Sequence, residues 1–280
     1  MLFDGKEAAS FYKEEVKKEV EEFKKQGINP KIVVLQAQYD EASEAYLKGR
    51  RKLGSELGVE IECQQYEGIS QEDLIKEIEK YNKDKNVAGI MVDRPLPKDM
   101  DENEVYSHIL LDKDIDGCNP KSLETLEEGR GFLTSSTPQA VIDLIDYYKI
   151  ELKGLKVTVV GRSKNVGAPL AILLRQRGAI VTVCHSKTVD VKGDCKAAEL
   201  VIVAMGKKEY IDHEYVTEKT KIIDVGIHRG EDGKLCGDVS KEVYPLVDSY
   251  SPVPGGVGPL TNVALFRNTI KALRRQINGK

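Results

Sequence analysis

Along the first ninety residues the apolar positions switch period several times. Residues 7–26 space them as one face of a helix among Lys and Glu, and Gly27–Pro30 ends it. KIVVLQA (31–37) is a continuous apolar run of strand length. Residues 41–57 return to helical spacing, with Gly58 as the stop. VEIECQQY reads as a second strand, and SQEDLIKEIEKYNKD as a helix with Ser70 as its N-cap. VAGIMV (87–92) is a third strand, left abruptly at Pro95 and Pro97. This β-α-β-α-β order predicts a parallel, twisted sheet covered by helices.

Residues 112–138 read as loop. From Pro138 the helical pattern resumes, and a second α/β run follows with strands at 156–160, 180–184, 200–204 and 221–225. The closing TNVALFRNTIKALRRQI is an amphipathic helix. Without repeats or a long linker, the chain should form two α/β lobes packed around a cleft. Net charge is −4, with 40% hydrophobic and 31% charged residues, an ordinary soluble balance that advertises neither nucleic acid nor membrane as partner. No apolar stretch approaches the roughly 20 residues of a spanning helix, and the N-terminus lacks a signal-peptide core, so a cytoplasmic protein is expected. The five cysteines are scattered without a CxxC pair and the four histidines do not cluster, which predicts reduced thiols and no metal site.

The strongest local signal is KVTVVGRSKNVGAPLAILLRQRGAIVTVCHSKT. A buried strand runs into Gly161, a short loop, Gly167, a helix and another strand. Glycines at such a turn let backbone N–H groups approach a pyrophosphate, which a helix N-terminus also attracts. Ser163 stands where the second glycine of GxGxxG would be, so the turn alone is a loose match. An acidic residue usually follows at the end of the next strand to hold the ribose 2′-OH of NAD; here Ser186 and Lys187 stand there, and Arg162 lies in the turn. Those residues suit a 2′-phosphate, favouring NADP, with NAD as the alternative. In SPVPGGVGPLTNVAL, glycines and prolines form a rigid loop that can bring backbone close to a ligand.

VVGRSKNVGAPLA, TVCHSKT, IIDVGI, GDV and PVPGGVGPLT, preceded in order by ASEAYLKGRRK, GIMVDRPLP and KDIDG, resemble the bifunctional methylenetetrahydrofolate dehydrogenase/cyclohydrolase family over essentially the whole chain. The resemblance implies a folate-binding catalytic lobe (1–138 plus 265–280, the last helix returning to it) and a Rossmann-type NAD(P)-binding lobe (139–264). It implies a homodimer paired through the Rossmann lobes. It also implies two reactions: hydride transfer from 5,10-methylenetetrahydrofolate to NADP, then hydrolysis of the methenyl cation to 10-formyltetrahydrofolate. Folate would lie over Tyr46, with Asp116 hydrogen-bonding the pterin and Pro254, Gly255 and Gly256 lining the pocket. Cofactor contacts would fall on Gly161, Arg162, Ser163, Val166, Gly167, His185, Ser186, Lys187, Gly226 and Ile227. Candidate catalytic residues are Tyr46, Arg50, Asp93 and Asp116.

Two of these depart from the family. Its helix usually carries lysine four residues after the tyrosine, and its third strand usually ends in a glutamine that positions that lysine. Here those places hold Arg50 and Asp93. Lysine, with a pKa of about 10.4, can be tuned to shuttle a proton, whereas arginine stays protonated. Neighbouring lysines cannot substitute. Arg50 lies about 40° from Tyr46 around the helix, Lys48 about 200° and Lys52 about 240°. An Arg50–Asp93 ion pair, its guanidinium fork matched to the carboxylate, is therefore expected, with dehydrogenase activity kept and cyclohydrolase activity lost or strongly reduced. A fully bifunctional enzyme is the alternative. A non-catalytic protein on this fold, or a dehydrogenase of a shikimate-like acid, fits the folate-side motifs less well.

Overall fold

A computed structural model describes residues 1–230 and 233–278. The chain divides into two compact units. One comprises Tyr12–Thr134 and Leu265–Lys280, the other Met1–Phe11 and Ser135–Ala264.

The Tyr12–Thr134 unit is built on three parallel strands, β1 (Lys31–Gln36), β2 (Glu60–Gln65) and β3 (Val87–Val92), in the order β2-β1-β3. β1 is central, and its alternate residues serve opposite faces. Ile32 and Val34 join Val16, Val20 and Phe23 of α1 (Gly5–Lys25), Leu47 of α2 (Glu41–Leu57) and Phe266 of the last helix. Val33 and Leu35 join Leu74 and Ile78 of α3 (Gln71–Lys83) and Val105 and Tyr106 of α4 (Glu102–Ser107). The sheet is thus sandwiched between helical layers, which is why β1 and β3 read as continuous apolar runs, while the edge strand β2 is more polar and only partly buried.

Helix α2 has the bounds its sequence predicts. Asp40 caps it by accepting the Ser43 N–H at 2.7 Å, and Gly58 closes it in the left-handed region at φ 77°. The stretch 112–138 is less irregular than expected. It holds α5 (Pro120–Glu127), entered through an Asn119 cap with Pro120 in its first turn.

In the other unit, β4 (Lys156–Val160), β5 (Ile180–Cys184), β6 (Leu200–Val203), β7 (Lys221–Asp224) and β10 (Ser249–Ser251) form an all-parallel sheet ordered β10-β7-β6-β4-β5. Helix α6 (Ser136–Tyr147) leads into it, α7 (Gly167–Gln176) and α8 (Val191–Lys196) connect β4 to β5 and β5 to β6, and β8 (His228–Arg229) pairs antiparallel with β9 (Leu235–Cys236). This is the Rossmann-type lobe the sequence predicts, with an added edge strand: β10 is three residues, Ser-Tyr-Ser, too short and polar to read as one.

Two boundaries differ from expectation. Met1–Phe11 cluster with the Rossmann-type unit, because the Phe3 N–H donates to Tyr250 O at 2.7 Å, Tyr250 N–H to Met1 O at 3.0 Å and Gly5 N–H to Gly255 O at 2.8 Å. Ser135–Pro138, expected in the first lobe, likewise belong with this unit, where α6 begins at Ser136. The last helix, α9 (Val257–Asn278), starts four residues before Thr261, so VGPLT of the supposed loop is helical, with Pro259 in a first turn that needs no N–H from it. Its stretch from Leu265 belongs to the Tyr12–Thr134 unit, where Asn268 donates to Ile115 O and Thr134 O at 2.9 and 2.7 Å.

Candidate active site and nucleotide turn

In the three-stranded sheet the chain passes from β1 to β2 on one side and places β3 on the other. Crevices at the carboxyl ends of strands flanking such a reversal are where open α/β sheets bind ligands. A pocket of about 470 Å³ lies there, lined from Asp40 and α2 on one side and Val92–Pro95, Asp116 and Cys118 on the other. Helical spacing sends Ser43, Tyr46 and Arg50 to it together, while Lys48 and Lys52 are exposed and do not line it. The four candidate residues Tyr46, Arg50, Asp93 and Asp116 are thus brought to one place. Tyr46 is 66% exposed, an aromatic face open to a ligand.

Asp93 follows β3 directly, held by its N–H to Leu35 O at 2.9 Å. Its Oδ1 meets Arg50 Nη1 at 3.1 Å, with the carboxylate side chain 9% exposed and the guanidinium side chain 20%. The pair is present, but the contact is one bond and not a fork: Oδ2 is taken by Gln36 Nε2 at 3.3 Å.

Asp116 sits on a fixed turn. The Asp114 carboxylate accepts the N–H groups of Cys118 and Asn119, both at 2.9 Å, and the Ser122 hydroxyl at 2.6 Å. Ile90 N–H donates to Lys113 O at 2.8 Å, tying that segment to β3. A Cβ at Gly89 would fall 2.5 Å from Ile115 Cγ2, so only glycine lets the segment lie this close to the strand. Cys118 Sγ lies 3.8 Å from Asp116 Oδ2, and burial, with Asp116 and Asp114 adding, pushes its thiol well up. Arg94 also enters the pocket, its Nε 3.3 Å from Glu102 Oε2 and its guanidinium 4.8 Å from the Tyr106 ring centre.

Sequence reasoning missed Gln36, Ser43, Arg94 and Cys118. Gln36 carried a signal, a glutamine closing an apolar strand.

The second constellation lies in the Rossmann-type unit, at the carboxyl end of β4, which is flanked by β5 and β6. Gly161 has φ 125°, and a Cβ on it would fall 2.1 Å from Ala204 O beyond β6; one on Gly167 would fall 2.1 Å from Gly161 O. Backbone is therefore packed on backbone around the turn. Arg162 and Ser163 are exposed on it; at the head of α7 the Gly167 and Ala168 N–H groups turn back to Ser163 Oγ and O at 3.4 and 3.0 Å and Pro169 has none, so what the helix start offers an anion is the positive end of its dipole. Ser186 and Lys187 are exposed beyond β5, with Lys187 N–H on His185 Nδ1 at 3.1 Å. Beyond β7, Gly226 is buried and Ile227 exposed. Behind them, the Asp224 carboxylate accepts the N–H groups of Gly226, Asp238 and Val239, each at 3.0 Å. Burial pushes its carboxyl up to about 7, against the pull of those donors. Pro254–Gly256 belong to this same unit, with Gly255 at φ 109°. Among the described residues, no three His, Cys, Asp or Glu side chains gather as a metal would require.

A glycine turn into a helix at a strand-order reversal, with cations beyond the next strand, defines a dinucleotide-linked α/β protein, and the turn, helix start and cations fit such a group. Comparison with known proteins agrees. Residues 135–277 match the family described as tetrahydrofolate dehydrogenase/cyclohydrolase, NAD(P)-binding domain, and residues 3–116 match its catalytic domain. The bifunctional protein FolD of Acetivibrio thermocellus is 42% identical over 281 aligned positions, covering 100% of this chain and 99% of the relative. The crystal structure of the bifunctional FolD methylenetetrahydrofolate dehydrogenase/cyclohydrolase from Campylobacter jejuni superposes with a TM-score of 0.93 at 36% identity, over 98% of this chain and 99% of that one. A Trypanosoma brucei methylenetetrahydrofolate dehydrogenase-cyclohydrolase, solved with NADP and an inhibitor, gives 0.87 at 28%, over 99% and 98%. The chain belongs to the tetrahydrofolate dehydrogenase/cyclohydrolase family.

Proposed function

We propose that this chain oxidises 5,10-methylenetetrahydrofolate with NADP and has lost, or nearly lost, the hydrolytic step that follows. The observation that carries the reading is the Arg50–Asp93 pair in the pocket with Tyr46 and Asp116. Tyr46 offers a ring face to the pterin, and Asp116 can accept from adjacent ring N–H and amino donors. Bound NADP would supply the hydride acceptor for the first step, the oxidation of the methylene substrate to its methenyl cation. That step asks the protein for position and polarity, which these side chains supply. Opening the cation with water asks for a group that takes and returns a proton near neutral pH. A guanidinium stays protonated, and both Asp93 oxygens are already engaged.

Arg162, Ser186 and Lys187 suit the 2′-phosphate of NADP, with His185, Val166 and the Gly161, Ser163, Gly167, Gly226 and Ile227 backbone shaping the rest of the cofactor site. Pro254, Gly255 and Gly256 are proposed as folate contacts on the strength of the family resemblance. The working form is a homodimer paired through the Rossmann-type units, in the cytoplasm; among the described residues no helix is long and apolar enough to cross a membrane. Relatives carrying the name bifunctional, at 38–42% identity, favour the second reading, retention of both activities. Incubating the purified protein with 5,10-methylenetetrahydrofolate and NADP tests the first. NADPH should form, and methenyltetrahydrofolate should accumulate with it mole for mole. No reduction of NADP or NAD would reject the dehydrogenase assignment; 10-formyltetrahydrofolate as the rapid end product would favour the second.

A further inference from the structure

The Arg50–Asp93 pair has a third member. Gln36 closes β1 with 3% of its surface exposed, its Nε2 donating to Asp93 Oδ2 at 3.3 Å. Its Oε1 accepts the Cys63 thiol of the adjacent strand β2 at 3.6 Å. A thiol needs an oxygen to donate to, and a carboxylate can only accept, so the two partners fix which end of the amide faces which. Burial pushes the Cys63 thiol up, so it keeps its proton at neutral pH and remains a donor.

Asp93 is therefore held from two sides. A carboxylate with both oxygens free takes a guanidinium through two parallel bonds. Here the second oxygen is occupied, and Nη1–Oδ1 is the only hydrogen bond Arg50 makes among the described residues. Its other N–H groups are left for whatever enters the pocket that Arg50 and Asp93 both line.

We infer that Gln36 is a positioning residue of this site: it holds Asp93 so that Arg50 meets the carboxylate end-on and turns its remaining donors toward an electron-rich oxygen of the bound folate. The inference rests on the folate reading above and adds to it a residue that does not itself line the pocket. The chain Cys63–Gln36–Asp93–Arg50 then sets substrate affinity from beneath the site. A merely structural glutamine would support the end of β1 and leave substrate affinity alone.

Steady-state kinetics and thermal melts on wild type, Gln36→Met, Asp93→Asn and the double variant separate the two. Gln36→Met is expected to raise KM for 5,10-methylenetetrahydrofolate about five- to tenfold, the size of one ordinary hydrogen bond lost, with kcat within about twofold and KM for NADP unchanged. In the Asp93→Asn background it should add less than about twofold, since its effect runs through Asp93. Gln36→Glu keeps the shape and, when protonated, the donor. Two adjacent carboxylates resist joint ionisation, so this variant should approach wild-type KM near pH 6 and depart from it as pH rises toward 8.5, a dependence wild type lacks. Equal effects of Gln36→Met in both backgrounds, or a Gln36→Glu profile parallel to wild type, would overturn the positioning role. Should Gln36→Met fail to fold, the Gln36→Glu profile decides alone. An inactive wild type is a different failure, that of the folate reading, and is seen before any variant is made.

Discussion

Arginine at position 50 holds a fixed positive charge and cannot release a proton near neutral pH. That much is legible from residue type alone, as is the fitness of Asp93 to be its partner. The structure adds the bond count, one contact at 3.1 Å with Gln36 on the other oxygen. Gln36 was not legible as a partner, because nothing local brings position 36 to position 93; the parallel β1–β3 register does. At the nucleotide turn the decisive residue is Gly161. Gly161→Ala would place a Cβ 2.1 Å from Ala204 O on a backbone at φ 125°. It is expected to cost about 2 kcal/mol or more in denaturant unfolding and to weaken NADP binding in a fluorescence titration. Lys187→Ala, on the exposed end beyond β5, should raise KM for NADP about tenfold and leave KM for NAD unchanged; equal effects on both would remove it from 2′-phosphate recognition.

Helix α2 shows how much an element's own sequence can settle. Its Asp40 cap, its Gly58 stop and the face carrying Tyr46 and Arg50 follow from local chemistry and 3.6-residue spacing. Asp40→Ala should lower stability by about 1 kcal/mol through loss of the cap to Ser43 N–H, read in urea melts. Leu47→Ala, on the adjoining buried face, should cost about 2–5 kcal/mol by leaving a cavity beneath the sheet. Long apolar strands were equally plain. What escaped was short or polar: α4 at six residues, α5 at eight, the β8–β9 hairpin and β10, whose Ser-Tyr-Ser pairs with β7 by register alone. The early start of α9 escaped for another reason. Prolines and glycines read as loop, yet a helix's first turn accepts both.

For the whole molecule, the β-α-β order of each half predicted two parallel α/β units, and both are there. Their limits were harder to read, because helix periodicity does not say which sheet a helix end serves. Met1–Phe11 go with the Rossmann-type unit through backbone bonds at Phe3, Tyr250 and Gly5, which no composition shift announces. The proposed homodimer is checked by sedimentation, where a particle of twice the 31.2 kDa chain mass is expected and a monomer at micromolar concentration would exclude it. The central claim, that one reaction survives and the other is gone, turns on a single assay: the decay of 5,10-methenyltetrahydrofolate with and without enzyme, for wild type and for Arg50→Lys/Asp93→Gln. Wild type should leave the decay at or near its uncatalysed rate, and the double variant should accelerate it. Rapid hydrolysis by the wild type, well above the uncatalysed rate, would contradict the claim.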